Sequence, residues 1–76
     1  MKRPKPITAE TAADIVIACR KASGHETVYA AEKATGVNKG SLYRIETGQR
    51  DPGVGNLRAL LAALGWRLKL VAERDP

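Results

Sequence analysis

The thirteen residues from Gly36 to Gly48, GVNKGSLYRIETG, constrain this chain more than any other stretch. Gly36 can adopt the positive φ that ends a helix without a side-chain clash. Asn38 is a strong N-cap residue, whose side-chain oxygen can accept from an amide two or three positions on. Leu42 and Ile45 stand three apart, so a helix places them on one face and can anchor there. Lys39, Gly40, Ser41, Tyr43 and Arg44 face other ways, and all but Gly40 carry hydrogen-bonding groups. Gly48 then stops the segment. The local sequence therefore predicts a tight turn, a helix over about Asn38 to Thr47, and a second stop.

A short helix that is apolar behind, polar and cationic in front, has the build required to lie in the major groove of duplex DNA. The charge agrees. Thirteen Lys and Arg oppose eight Asp and Glu, for a net charge of +5 and a pI near 9.8. Such a balance suits a polyanion, although solubility alone would also account for it. One Trp, two Tyr and no Phe leave little with which to build a stacking platform for single strands, so duplex DNA is the expected partner.

With 76 residues the chain has room for one small domain, and a domain of that size buries only about 60% of its unfolded surface, so it gains from pairing. The single Cys19 cannot form an internal disulfide and reads as core filler. No apolar run is long enough for a signal peptide or a membrane span, which makes a reducing cytoplasm the expected location and a membrane partner unexpected. One His, one Cys and no Gly-rich phosphate cradle after a strand leave catalysis without a basis, and no cofactor or metal is expected. His25 reads as an exposed residue at a helix start.

The opening MKRPKP places Lys2, Arg3 and Lys5 among prolines that forbid a helix, so residues 1–7 read as a flexible basic arm. Thr8 or Thr11 can cap the first helix, and Thr11 with Asp14 resembles a capping box. Ile15, Ala18, Cys19 and Ala22 recur at helical spacing and are expected to face the core, with Ser23-Gly24 as the stop. A second helix is expected from about Glu26 to Thr35, with Thr27 near its start and Val28, Ala31 and Ala34 or Thr35 on its apolar side. GQRDPG is a loop by its Gly and Pro content. Leu57, Leu60, Leu61 and Leu64 then mark another helix, closed by Gly65, so that 8–65 forms the domain.

Beyond Gly65 the period changes from helical to alternating. Trp66, Leu68 and Leu70 interleave with Arg67 and Lys69, the pattern of a strand with one buried face. A lone strand in a helical domain has no partner for its backbone groups. The simplest solution is the same strand from a second copy about a two-fold axis. Residues 66–72 are therefore expected to form a dimerisation strand, with Trp66, Leu68 and Leu70 at the interface and 73–76 a flexible tail.

The stretch AAEKATGVNKGSLYRIETGQRDP, followed by LRALLAALG, resembles the Xre or lambda-repressor-like helix-turn-helix family, and the tail LGWRLKLVAERDP resembles its HipB-like branch. The likeness covers roughly Thr11 to Val71, and its most specific part is G-V-N-x-x-S-L-x-R-I-E-x-G. It implies an all-α domain of four or five helices, a C-terminal β-strand that pairs across a homodimer, and double-stranded DNA as partner. By the same resemblance Lys39, Gly40, Ser41 and Arg44 are base-edge candidates, and Thr27, Asn38, Gln49 and Arg50 phosphate candidates. Tyr43 could stack, donate to phosphate or cover the loop, and Lys2, Arg3 and Lys5 could enter the minor groove as arms do in some relatives. Arg20 and Glu46 match positions that pair structurally. The expected activity is that of a transcriptional repressor, bacterial or phage-encoded, on a palindromic operator. The alternative is a HipB-like antitoxin that also holds a toxin partner and regulates its own operon. A third reading is a basic accessory protein without sequence preference.

Three departures from the family pattern stand out. The spacing from Gly24 to Gly36 is longer by about one residue. Ala30-Ala31 replaces the usual Leu-Ala pair, which lightens the packing. Gly40 occupies a reading position that normally holds a polar side chain.

Overall fold

The computed structural model describes residues 5–76, which fold into four helices. α1 spans Ala12–Ala22, α2 Val28–Thr35, α3 Lys39–Glu46 and α4 Gly53–Ala63. Lys2 and Arg3 of the expected arm lie outside the described residues.

Local chemistry sets the starts. Thr11 caps α1, its hydroxyl oxygen accepting the Asp14 N–H at 3.1 Å. Thr27 does the same for α2 with the Ala30 N–H, also at 3.1 Å. A threonine oxygen in that place satisfies an amide that the helix itself leaves orphaned. Because Thr27 is the cap, α2 begins at Val28, two residues later than the spacing predicts. Asp14 in the first turn of α1 and Arg20 and Lys21 in its last complement the helix dipole. Between α2 and α3, Gly36 takes φ +73°, a left-handed conformation that would strain a residue with a β-carbon. Thr35 closes the turn from the side, donating to the Ala31 carbonyl at 2.8 Å and accepting from Val37 at 3.1 Å.

The core joins all four helices: Val16 and Cys19 from α1, Ala31 from α2, Leu42 and Ile45 from α3, Leu60 and Leu61 from α4, and Leu64 just beyond it. The α3 helix packs on both α1 and α2. Ala31 has no bulk to hold its neighbours apart, so the two helices of the turn approach closely. The α1 face differs from the expected one. Val16 is its best-buried residue and Ala22 is exposed, while Ile15 and Ala18 are half-buried. Ile15 to Cys19 are apolar without interruption, so no polar boundary in the sequence marks the phase of the stripe. Burial also raises the Cys19 thiol above its ordinary pKa. A folded-state pKa that is raised leaves stability intact below the ordinary thiol range and removes it as pH climbs through the raised value. Cys19 is accordingly expected to resist alkylation at neutral pH in the native protein and to react as fast as a free thiol in denaturant, measured by mass spectrometry. Fast modification of the native chain would contradict its burial.

The C-terminal segment is the largest departure from the sequence reading. There is no strand among the described residues. The single chain offers residues 66–72 no edge to pair with, and a ladder requires two sides. Trp66 and Leu68 instead fold back onto the chain's own core, together with Ile7 from the end of the expected arm. Trp66 is held at both ends of its residue: its backbone N–H reaches the Leu61 carbonyl at 2.8 Å, and its indole N–H reaches the Ser23 hydroxyl at 2.9 Å. The Ser23 hydroxyl lies 2.7 Å from the Cys19 carbonyl and 3.0 Å from that of Leu64. The ends of α1 and α4 and the tryptophan are thereby joined at one oxygen. Leu70 breaks the alternation, with 64% of its surface exposed, and Val71 follows with 71%.

Candidate nucleic-acid interface

The α3 helix presents its residues in three sectors. Leu42, 1% exposed, and Ile45 face the core. At about 100° per residue, the opposite sector holds Gly40, Tyr43, Arg44 and the position of Thr47. Tyr43 is 56% exposed and Arg44 is also exposed. Lys39 and Ser41 occupy the two flanks. Of the four base-edge candidates, Gly40 and Arg44 thus stand at the front, whereas Lys39 leans toward α2 and Ser41 toward α4. Half-buried Ser41 lines a hollow with Arg50, Thr35 and Asn56, which brings two predicted contact residues together between α3 and α4.

The leading end of α3 is already partly satisfied. Asn38 Oδ1 accepts the Gly40 N–H at 2.7 Å, and Glu32 Oε2 accepts the Lys39 N–H at 2.8 Å. These two amides are therefore committed within the fold, and the Glu32 carboxylate adds negative charge where a phosphate would otherwise approach. Side chains, rather than these amides, must carry any phosphate contact at this end. The cap also gives a structural reason for Gly40. A β-carbon there would lie 3.0 Å from Asn38 Oδ1, so the missing side chain leaves the capping oxygen its room.

Past α3, Gly48 takes φ +77° and turns the chain sharply. The Gln49 and Arg50 N–H groups both return to the Arg44 carbonyl, at 2.8 and 3.2 Å. Gln49 Nε2 donates to Thr47 Oγ1 at 2.9 Å, which in turn donates to the Tyr43 carbonyl at 2.8 Å. Gln49 and Arg50 are exposed and held close behind Arg44. Thr27 is exposed at the start of α2, and its oxygen is occupied by the cap while its hydroxyl hydrogen stays available to donate. Lys5 is exposed on the N-terminal segment.

Beneath this surface, Arg20 and Glu46 form a two-pronged ion pair. Arg20 Nε donates to Glu46 Oε2 at 2.8 Å and Nη2 to Oε1 at 2.9 Å, with both side chains only 8% exposed. Nη1 donates to the His25 carbonyl at 2.8 Å, so one guanidinium joins α1, the loop before α2 and the end of α3. Donating to the Glu46 carboxylate raises the guanidinium pKa above its ordinary value, against the opposing effect of burial. The pair orients α3 without belonging to its outer face.

One cluster escaped the sequence reading. The ring of Tyr29 on α2 lies with Lys33 Nζ 5.7 Å and Lys39 Nζ 5.1 Å from its centroid. Tyr29 and Lys33 are four apart on a helix, a spacing visible in sequence, but the arrival of Lys39 depends on the turn. Among the described residues no group of three His, Cys, Asp or Glu side chains is placed to hold a metal, and no helix is long and apolar enough to cross a membrane.

A family model described as helix-turn-helix matches residues 16–70. No curated protein and no solved structure matches the chain.

Proposed function

Since the chain belongs to the helix-turn-helix family of the Xre and lambda-repressor type, a family of DNA-binding transcription regulators, we propose that it is a repressor that binds a palindromic operator as a homodimer. The observation that carries this reading is the division of α3 into a buried Leu42–Ile45 side and an outward Tyr43–Arg44 side on a helix already pinned at both ends. In this reading α3 enters the major groove. Arg44 reads base edges, and the missing side chain of Gly40 allows close approach beside it. Ser41 stands at one margin, and Lys39 at the other meets a base edge or the phosphate next to it. Thr27, Asn38, Tyr43, Gln49 and Arg50 contact phosphate, and Lys5, with Lys2 and Arg3, extends the positive arm. Phosphate contacts set register, and base contacts set sequence.

Two reading helices on a two-fold axis would meet successive major grooves about 34 Å apart. The dimer in this proposal is built by residues 66–72. Leu70 and Val71 line a groove with Ile7 and Ile15, and Glu10, Lys69 and Glu73 share its lining, so a second copy would find both apolar side chains and charges of either sign there. Trp66 and Leu68 serve the chain's own core, so truncation after Gly65 would damage the fold as well as any interface. Leu70→Asp is the cleaner test. It is expected to give a folded monomer by analytical ultracentrifugation, and an unchanged dimer would remove residues 66–72 from the interface.

Selection of bound duplexes from a random DNA pool at near-physiological salt tests the function. Enrichment of an inverted repeat is the expected result. Binding without enrichment, fading steeply with salt, would instead describe a basic domain without sequence preference. The alternative reading, a HipB-like antitoxin, uses the same dimer and adds a toxin partner. It rests on the likeness of the tail LGWRLKLVAERDP and on the exposed Leu70 and Val71 that extend beyond the core. Co-purification of a second chain with the protein from its source cells would favour it.

A further inference from the structure

We propose that Tyr29 is a positioning residue for DNA binding: its ring holds the Lys39 ammonium, from the leading end of α3, and the Lys33 ammonium, from α2, forming a two-cation clamp for the phosphate backbone. This inference rests on the DNA-binding reading and adds to it one aromatic residue and one lysine.

Lys39 stands on a flank of α3, away from the front sector that holds Gly40 and Arg44. Its backbone N–H is taken by Glu32, so the helix end is committed and only the flexible side chain can reach an anion. A lysine stem is a weak clamp when free, because holding it in one place costs rotamer entropy. The Tyr29 face, 5.1 Å from Nζ, supplies an attraction that narrows where the ammonium sits before DNA arrives. Lys33 Nζ is 5.7 Å from the same centroid, so one ring gathers two positive charges that would otherwise repel and spread. Tyr29 is 55% exposed and lies outside the core cluster and the residues packed against it, so the core does not account for its place. Two ammonium groups drawn to one ring suit a backbone that carries a negative charge at every step, and Lys binds phosphate as a point charge without regard to base.

The test uses the full chain, a selected high-affinity duplex and a random-sequence duplex, with folding checked by circular dichroism. Tyr29→Ala is expected to weaken binding about two- to fivefold on both duplexes, the size of an exposed cation–π contact. Tyr29→Phe is expected to bind like the unmodified chain, because the ring face is kept. Lys39→Ala should cost less in the Tyr29→Ala background than in the unmodified chain. Lys33→Gln should lower the salt dependence by about one counterion. Equal losses for Tyr29→Phe and Tyr29→Ala would make the hydroxyl the contact and overturn the proposal. So would a loss confined to the selected duplex, or no loss at all for Tyr29→Ala. If the unmodified chain bound neither duplex, the DNA-binding reading would fall and this inference with it.

Discussion

Glu46→Ala is expected to lower the unfolding free energy by about 3 kcal/mol, the low end of what breaking a buried ion pair costs. The reason is what remains. Arg20 would keep its charge, 8% exposed and facing an empty place where two carboxylate oxygens had been 2.8 and 2.9 Å away. A domain of this length has only about 0.05–0.15 kcal/mol of stability per residue, so the loss would consume a large share of the total. Denaturant titration at neutral pH measures it. Arg20→Met with Glu46→Leu is expected to recover most of the stability, because the cost lies in the unpaired charge rather than in the missing pair. A loss under 1 kcal/mol for Glu46→Ala would mean that water reaches the guanidinium readily and that the pair does not set the pose of α3.

Arg44→Ala carries the largest expected effect on binding. Arg44 is on the front sector of α3, exposed, and backed by the loop whose Gln49 and Arg50 amides return to its carbonyl. A guanidinium there can meet guanine O6 and N7 with two hydrogen bonds, worth about 1–3 kcal/mol of discrimination. That is roughly a 5- to 150-fold loss for each half-site, and preference at one base pair of the half-site should relax with it. Fluorescence anisotropy on the selected operator and on single-base variants measures both. Equal losses on operator and random duplex would reassign Arg44 to the phosphate backbone. The fold should be untouched in either case, since Arg44 is exposed and lies outside the core cluster.

Much of the candidate site was legible residue by residue. Asn38 announced a cap, Leu42 and Ile45 an inward face, and Gly36 and Gly48 the limits of the helix, because each acts through neighbours a few positions away. Arg20 and Glu46 were legible only through the family likeness. They are 26 residues apart, and nothing local reveals that their charges are buried together. Tyr29 was missed for the same kind of reason. Its helical partner Lys33 is near in sequence, whereas Lys39 reaches the ring across the turn.

The C-terminal segment shows the limit from the other side. Alternation at Trp66, Leu68 and Leu70 identifies an extended stretch with one apolar face, but not what that face covers. In the folded chain the first two lie on their own core, and the Ser23 hydroxyl, from the end of α1, receives the indole N–H. Only Leu70 and Val71 remain outside.

By itself, then, the sequence determined that there are four helical segments and roughly where they lie, the limits and the apolar side of α3, and that the chain is basic, because caps, glycine turns and periodicity act over three or four residues. The starts of α2 and α4 differ from its reading. The tertiary structure decided which face of α1 is buried, that an arginine and a glutamate meet out of water, which flank of α3 each contact residue occupies, and where Trp66 rests. Those outcomes depend on groups from distant segments competing for the same small core, and no local rule ranks them.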